Sequence, residues 1–276
     1  MKNVIGVDLG GTNVRAGLVS GQKLIKMAES HLGPGKNRKQ VLERLYNVIE
    51  QVIDKNTRAI GVGVPSIVDT EKGIVYDVVN IPSWKKVPLK KLLEERYEIP
   101  VKINNDANCF VMGEKYFGKG RGAKNLVGLI IGTGLGAGII INDKLYEGSN
   151  CGAGEFGMIP FKDDILETYC SGQYFRKFYN VSGIDLYKKN NKQTSRIFAG
   201  FGKNIAEAIK IILYSYDPEI IILGGSVSKS YPLFRTAMLE GLADFAYSRT
   251  IKNLKIYVSG LKYPGVLGAA GLVRLQ

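Results

Sequence analysis

Asp8 closes an apolar stretch (Val4, Ile5, Val7) and opens a glycine-rich turn, Gly10-Gly11-Thr12-Asn13, from which a second apolar stretch (Ala16, Leu18, Val19) leads away. Glycines let backbone N–H groups come close to phosphate oxygens because no Cβ intervenes. An aspartate placed there can hold a hydrated Mg²⁺, and Thr12, Asn13 and Arg15 can add donors to the phosphates. The pattern is strand–turn–strand, so it is neither a Walker loop nor a dinucleotide fingerprint, both of which run from a strand into a helix. Taken alone, the turn leaves a plain glycine-rich hairpin open as the alternative.

Two more turns have the same character. Gly132-Thr133-Gly134 follows the apolar run Leu126–Ile131, and Gly224-Gly225-Ser226 follows Ile220–Leu223. With the Asp8 hairpin, the first would clamp a triphosphate from a second side. The other can receive the adenosine end, or be a simple strand-to-helix turn. Asn105-Asp106 falls where a strand ends and a helix begins, the edge at which α/β proteins place ligands. Asp106 there can act as general base toward a hydroxyl attacking a γ-phosphate; equally, either residue can be an N-cap. Glu155 (Gly154-Glu155-Phe156-Gly157) and Glu167 lie in or beside loops, suited to a polyol pocket or to solvent. Trp84, the one tryptophan, lines such a pocket or belongs to the core or a lid. His31 is the sole histidine and has no partner pattern, so no histidine chemistry is assembled from it.

These residues need elements to position them. Alternation over residues 2–33 predicts three consecutive strands ended by Gly33-Pro34-Gly35. A helix is predicted over 38–55, a buried strand over 60–64 running into Pro65-Ser66, and a hairpin over 73–79. A helix after Pro88, a strand over 100–103 and a helix through Phe117 follow. Two strands flank the glycines between Val127 and Ile141, and 148–175 reads as loop-rich. An amphipathic helix over 203–216, a strand over 220–223, a helix over 231–246, a strand near 255–259 and an Ala/Gly-rich helix from Val266 complete the chain. Strands alternating with helices give an α/β architecture. The hairpin at 5–19 is echoed at 127–141 with its glycines out of phase by one, which suggests two related lobes.

At 276 residues the chain is long enough for one large or two modest domains, and 45% hydrophobic with 23% charged residues is ordinary for a soluble protein. No apolar run approaches a membrane span and Met1-Lys2-Asn3 leads straight into the first strand, so a cytoplasmic protein without membrane contact is expected. Three cysteines without CxxC spacing (Cys109, Cys151, Cys170) read as reduced thiols. The net charge of +13 is spread over helix faces rather than gathered with aromatics. No nucleic-acid partner is therefore expected; a lysine-rich surface of the heat-adapted kind accounts for the charge, which also favours an anionic substrate such as MgATP.

Six segments in order, Asp8 to Ala16, Val64-Pro65-Ser66, Asn80 to Trp84, Asn105-Asp106-Ala107-Asn108, Gly132 to Gly138 and Gly154-Glu155-Phe156-Gly157, resemble the ROK family of sugar kinases, as do Leu223-Gly224-Gly225 and Leu267-Gly268-Ala269-Ala270. The resemblance implies the actin-like, ribonuclease-H-like ATPase fold, with two α/β lobes around a cleft: residues 1–105 with 264–276, and residues 106–263. It implies Asp106 as catalytic base, and Ser66, Asn105, Glu155 and Glu167 as sugar ligands. Asp8 would lie near Mg²⁺, Gly10, Gly11, Thr12, Asn13, Arg15, Thr133 and Gly134 near the phosphates, and Gly224 and Gly225 at the nucleotide end. It implies ATP, Mg²⁺ and a hexose as ligands, and a homodimer.

One departure stands out. The family usually carries a histidine after Glu-x-Gly and a cysteine cluster that together bind zinc. Here Met158 occupies the histidine position, and the shortened loop from Met158 to Glu167 has no cysteine. A thioether replaces neither the zinc ligand nor a sugar hydrogen bond, so no zinc is expected. The expectation is an ATP-dependent hexokinase or glucokinase yielding a sugar 6-phosphate. Within the same family the alternatives are an N-acetylmannosamine or fructose kinase; in another class, a catalytically weak sugar sensor. A sugar-responsive repressor is disfavoured because its helix-turn-helix would precede the first strand, and Asp8 is only the eighth residue.

Overall fold

The alternating apolar residues of the first thirty positions form a meander, β1 (Asn3–Leu9), β2 (Asn13–Ser20) and β3 (Lys23–His31), as expected. The computed structural model describes residues 3–33, 37–78, 81–189 and 191–273. Pro34-Gly35 of the expected strand-ending turn and Asn80 of the Asn80–Trp84 segment lie outside them. In chain order follow α1 (Arg38–Val52), β4 (Thr57–Val64), the short strands β5 (Val68–Asp69), β6 (Ile74–Tyr76) and β7 (Lys86–Val87), α2 (Leu89–Tyr97), β8 (Val101–Asn105) and α3 (Asp106–Phe117). Then come β9 (Leu126–Ile131), β10 (Leu135–Ile141), β11 (Lys144–Leu145), β12 (Pro160–Phe161), β13 (Asp164–Ile165), α4 (Leu166–Cys170), α5 (Gly172–Tyr179), α6 (Gly183–Lys189) and α7 (Lys192–Tyr216). The chain continues through β14 (Ile220–Gly224), α8 (Tyr231–Leu242), α9 (Ser248–Asn253) and β15 (Lys255–Val258) to α10 (Pro264–Leu272).

The chain divides into two compact units. The first comprises Met1–Gly122, Leu145–Ala153 and Leu261–Gln276, and the second Ala123–Lys144 and Gly154–Gly260. This division differs from the expected boundary at Asn105/Asp106: α3 falls in the first unit, where α10 packs directly against it. The fit is backbone to backbone. A Cβ added to Gly268 would lie 1.5 Å from the Cys109 carbonyl oxygen, and one added to Gly61 of β4 would lie 1.8 Å from that of Ala269. The Ala/Gly composition of α10 is what admits this approach.

Both units carry a five-stranded sheet of one design, ordered β3-β2-β1-β4-β8 in the first and β11-β10-β9-β14-β15 in the second. In each, an antiparallel hairpin adjoins two parallel strands. Four residues (Gly10–Asn13) separate the paired Leu9 and Val14, against three (Gly132–Gly134) between the paired Ile131 and Leu135. That difference of one accounts for the phase slip between the two glycine patterns.

Two further expectations are revised. The helix expected over 203–216 is the end of the 25-residue α7, because Ile197, Phe198 and Phe201 continue its buried face and Asn191 caps it by accepting from the Thr194 N–H. The stretch 148–175 is not only loop: it holds the β12–β13 hairpin, α4 and α5. Trp84 is fully buried in the core of the first unit, so it lines no pocket. No described helix is long and apolar enough to cross a membrane.

Candidate functional site

In the first unit, β1, β4 and β8 run parallel, with Asp8 level with Gly63 and Gly63 level with Asn104. Their carboxyl ends therefore form one edge. Asp8, the turn Gly10–Asn13, Ser66 and Asn105-Asp106 all stand on it, with β1 and β8 roughly 10 Å apart across two strand spacings. Burial pushes the Asp8 carboxyl above its ordinary range, Arg15 pulls it down and Glu29 pushes it up. The Arg15 guanidinium is 2.8 Å from Glu29 and 3.9 Å from Asp8, in a row across β3, β2 and β1. Arg15 is thus hydrogen-bonded to Glu29 and lies beside Asp8. Thr12 is exposed, and the hairpin is closed by the Gly10 N–H donating to the Asn13 carbonyl.

Asn105 is the N-cap of α3: its Oδ1 accepts from the Ala107 N–H at 2.8 Å and its Nδ2 donates to the Ser66 carbonyl at 3.3 Å. The Ser66 hydroxyl donates to the Tyr76 carbonyl. Asp106, half-buried, is then the first helical residue, at the same sheet edge as Asp8. Behind it lies a polar cluster that the sequence reading missed. Buried Asn104 donates to Glu147 Oε1 at 2.5 Å, and its Oδ1 accepts from the Asn105 N–H, from Asn108 Nδ2 at 2.9 Å and from the Cys151 thiol. Glu147 Oε2 also accepts from the Thr70 hydroxyl. These bonds fix the start of α3, and hence where Asp106 stands.

In the second unit the turn Gly132–Gly134 is pinned by the start of α5. The Gly172 N–H donates to the Gly132 carbonyl at 2.8 Å and the Ser171 hydroxyl to that of Thr133. Glu167 is not left in solvent. Its Oε2 accepts from the Leu135 N–H at 2.9 Å and its Oε1 from Gln173 Nε2 at 2.7 Å, and a Cβ on Gly134 would lie 2.5 Å from that carboxylate. A carboxylate has about four acceptor sites, so lone pairs remain for hydroxyl groups.

A cavity of about 500 Å³ brings Gly132 and Thr133 together with Ser226 and Lys229, which follow the Gly224-Gly225 turn, and with Arg176 and Tyr187. That is the size range of small-ligand pockets. Two glycine turns far apart in sequence thus share one wall-to-wall site, with two cations that sequence reasoning missed. Their only signal was basic residues shortly after a glycine turn or on the following helix.

Burial, and then the charge of Glu167, raise the Glu155 carboxyl above its ordinary value of 4.5. The folded state therefore favours protonated Glu155. The associated stability is fully present below pH 4.5 and is lost as pH rises through the raised value. Glu155→Gln is expected to raise Tm at pH 7 by roughly 1–2 °C, a small effect because solvent screens the side chain, and to leave Tm unchanged at pH 4. Differential scanning calorimetry at both pH values checks this, and equal shifts at the two would contradict it.

Asp8 is one hard oxygen donor at a turn rich in backbone N–H groups. That donor set fits Mg²⁺, which keeps several waters and is shared with phosphates, rather than a dedicated all-protein cage. Among the described residues no three His, Cys, Asp or Glu side chains are grouped to hold a metal ion, and Met158 is exposed.

The family model described as ROK family matches residues 4–276. A glucokinase of Thermotoga maritima is 29% identical, over 98% of this chain and 97% of that protein. A xylose repressor of Caldicellulosiruptor bescii is also 29% identical, over 98% of this chain and 78% of that protein. The crystal structure of a ROK family glucokinase from Streptomyces griseus, in complex with glucose and AMPPNP, matches with a TM-score of 0.82 at 24% identity and covers 99% of this chain and 100% of that one. The fold is thus the actin-like ATPase fold of mixed α/β units, and the chain belongs to the ROK family.

Proposed function

We propose that this protein is an ATP-dependent sugar kinase that phosphorylates a hexose on its primary hydroxyl, with Asp106 as general base. The observation that carries the reading is the placement of Asp106 at the start of α3, on the same sheet edge as the Asp8 hairpin. Asp106 accepts the hydroxyl proton as the sugar oxygen bonds to the γ-phosphorus; the bond from that phosphorus to the ADP oxygen breaks. Transfer of this kind depends on positioning and charge stabilisation more than on early deprotonation.

Sugar hydroxyls are the ligands of Asn105 and the Ser66 backbone in the first unit, and of Glu155 and Glu167 in the second. In the first unit Gly10, Gly11, Thr12 and Asn13 are phosphate contacts, with Arg15 beside Asp8; in the second, Thr133 and Gly134 are. The cavity between the Gly132 turn and the Gly224-Gly225 turn takes the nucleoside, with Lys229 and Arg176 at hand for the charge of the attached phosphates. Mg²⁺ beside Asp8 would neutralise charge on the phosphate oxygens. The sugar kinases among the relatives support this reading, as does the complex of the Streptomyces griseus enzyme with glucose and AMPPNP.

A panel of glucose, mannose, fructose, N-acetylglucosamine and N-acetylmannosamine with MgATP, scored by ADP release, tests the proposal. Sugar-dependent ADP release with at least one member is expected, with kcat of order 1–100 s⁻¹. Sugar binding without turnover across the panel would favour the sensor reading, which the repressor relatives keep in view.

A further inference from the structure

The β12–β13 hairpin joins the segment carrying Glu155 to the helix carrying Glu167, and its sequence from Met158 to Glu167 contains no cysteine or histidine. Its turn includes Lys162, whose φ of 56° is a left-handed conformation uncommon for residues other than glycine. The ammonium donates to Oδ1 of Asn204 on α7 at 2.7 Å. It also lies 4.6 Å from the ring centroid of Tyr169 on α4 and 5.1 Å from that of Phe161 on β12.

The partners are tied to one another as well. Buried Asn204 donates through Nδ2 to the Tyr169 carbonyl at 3.4 Å, and its own carbonyl accepts the Cys170 thiol at 3.3 Å. The Tyr169 hydroxyl donates to Asp163, next to Lys162, and Lys177 of α5 reaches Asp164 at 2.5 Å. One ammonium therefore holds together the hairpin turn, α4 and α7. From α4, Glu167 reaches the Leu135 N–H at the foot of the glycine turn.

We propose that Lys162 is a positioning residue: a cation on the hairpin turn whose ammonium seats α4, and with it Glu167, so that it sets affinity for the sugar rather than the rate of phosphoryl transfer. The inference rests on reading Glu167 as a sugar ligand. A cation serves here because it can satisfy the Asn204 oxygen and two ring faces at once, which an apolar side chain of equal length cannot.

The test compares the wild type with Lys162→Met, which keeps the length and removes the charge, and Lys162→Arg, which restores it. Amide hydrogen exchange over residues 164–170 is read beside KM and kcat for the sugar. In Lys162→Met, exchange is expected to speed up about tenfold or more, as for a locally loosened segment. Its sugar KM is expected to rise roughly five- to tenfold with kcat within about twofold, the signature of lost binding rather than lost transition-state contact. Lys162→Arg is expected to recover both to within about threefold. Unchanged exchange or an unchanged sugar KM in Lys162→Met would overturn the proposal, as would a fall in kcat matching the rise in KM. Should Lys162→Met not fold, Lys162→Gln, uncharged but still a donor to Asn204, takes its place with the same expected direction. If the wild type phosphorylates no sugar, the kinase reading falls while exchange alone still judges the clamp.

Discussion

Asp106→Asn is expected to lower kcat by about 10²–10⁴-fold, the contribution of a well-placed general base, while KM for the sugar stays within about threefold. The substitution is close to isosteric and sits at the first position of α3. The N-cap bond is made by Asn105 Oδ1 to the Ala107 N–H and does not depend on position 106. The helix should lose no more than a carboxylate gives at a helix N-terminus, on the order of 0.3–1 kcal/mol. The check is steady-state kinetics alongside sugar binding by calorimetry. Retained turnover near the wild-type rate would remove Asp106 from the mechanism. Lost turnover together with lost folding would assign it a structural role instead.

The second large effect concerns the architecture. Gly268→Ala is expected to abolish folding of the first unit or to lower its stability by several kcal/mol, beyond the roughly 1–3 kcal/mol of ordinary overpacking. The added Cβ would fall 1.5 Å from the Cys109 carbonyl oxygen and 2.7 Å from the Gly113 backbone nitrogen, so no side-chain rotation relieves it. Helix α10 would have to withdraw from α3, and α3 carries Asp106. Gly260→Ala is the control. Nothing lies within 4 Å of its added Cβ, and it is expected to be neutral or stabilising by up to about 1 kcal/mol. Urea midpoints of the two variants measure the contrast. A Gly268→Ala protein as stable as the control would mean that α10 is not packed as described.

What was legible in the sequence is what short-range pattern encodes. The Asp8 hairpin, the strand-to-helix junction at Asn105-Asp106 and the Gly132 turn each lie within a few residues, and each forms as read. The placement of α3 was not legible, because it depends on Gly113 and Gly268 letting α3 and α10 approach across the fold, as Gly61 lets β4 approach Ala269, rather than on any local signal. The Asn104–Glu147 bond is hidden for the same reason: 43 residues separate its partners, and a loop glutamate carries no mark of the asparagine it will meet. Glu167 was read as a loop carboxylate open to solvent or sugar, yet its bonds to the Leu135 N–H and Gln173 come from elements that sequence did not juxtapose. Arg176 and Lys229 likewise meet only because α5 and the segment after β14 line one cavity. The start of α7 is less legible: the apolar residues from Ile205 onward predict a shorter helix, although Ile197, Phe198 and Phe201 keep the same period.

The central claim is that this chain moves the terminal phosphoryl group of ATP to a sugar hydroxyl. ³¹P NMR of the wild-type protein with MgATP and each hexose follows that transfer directly. The account predicts ADP and a sugar phosphomonoester appearing in equal amounts, coupled to the protons of the sugar's primary carbon. ADP accompanied only by inorganic phosphate, or no change in the ATP resonances with any hexose or N-acetylhexosamine, would contradict it.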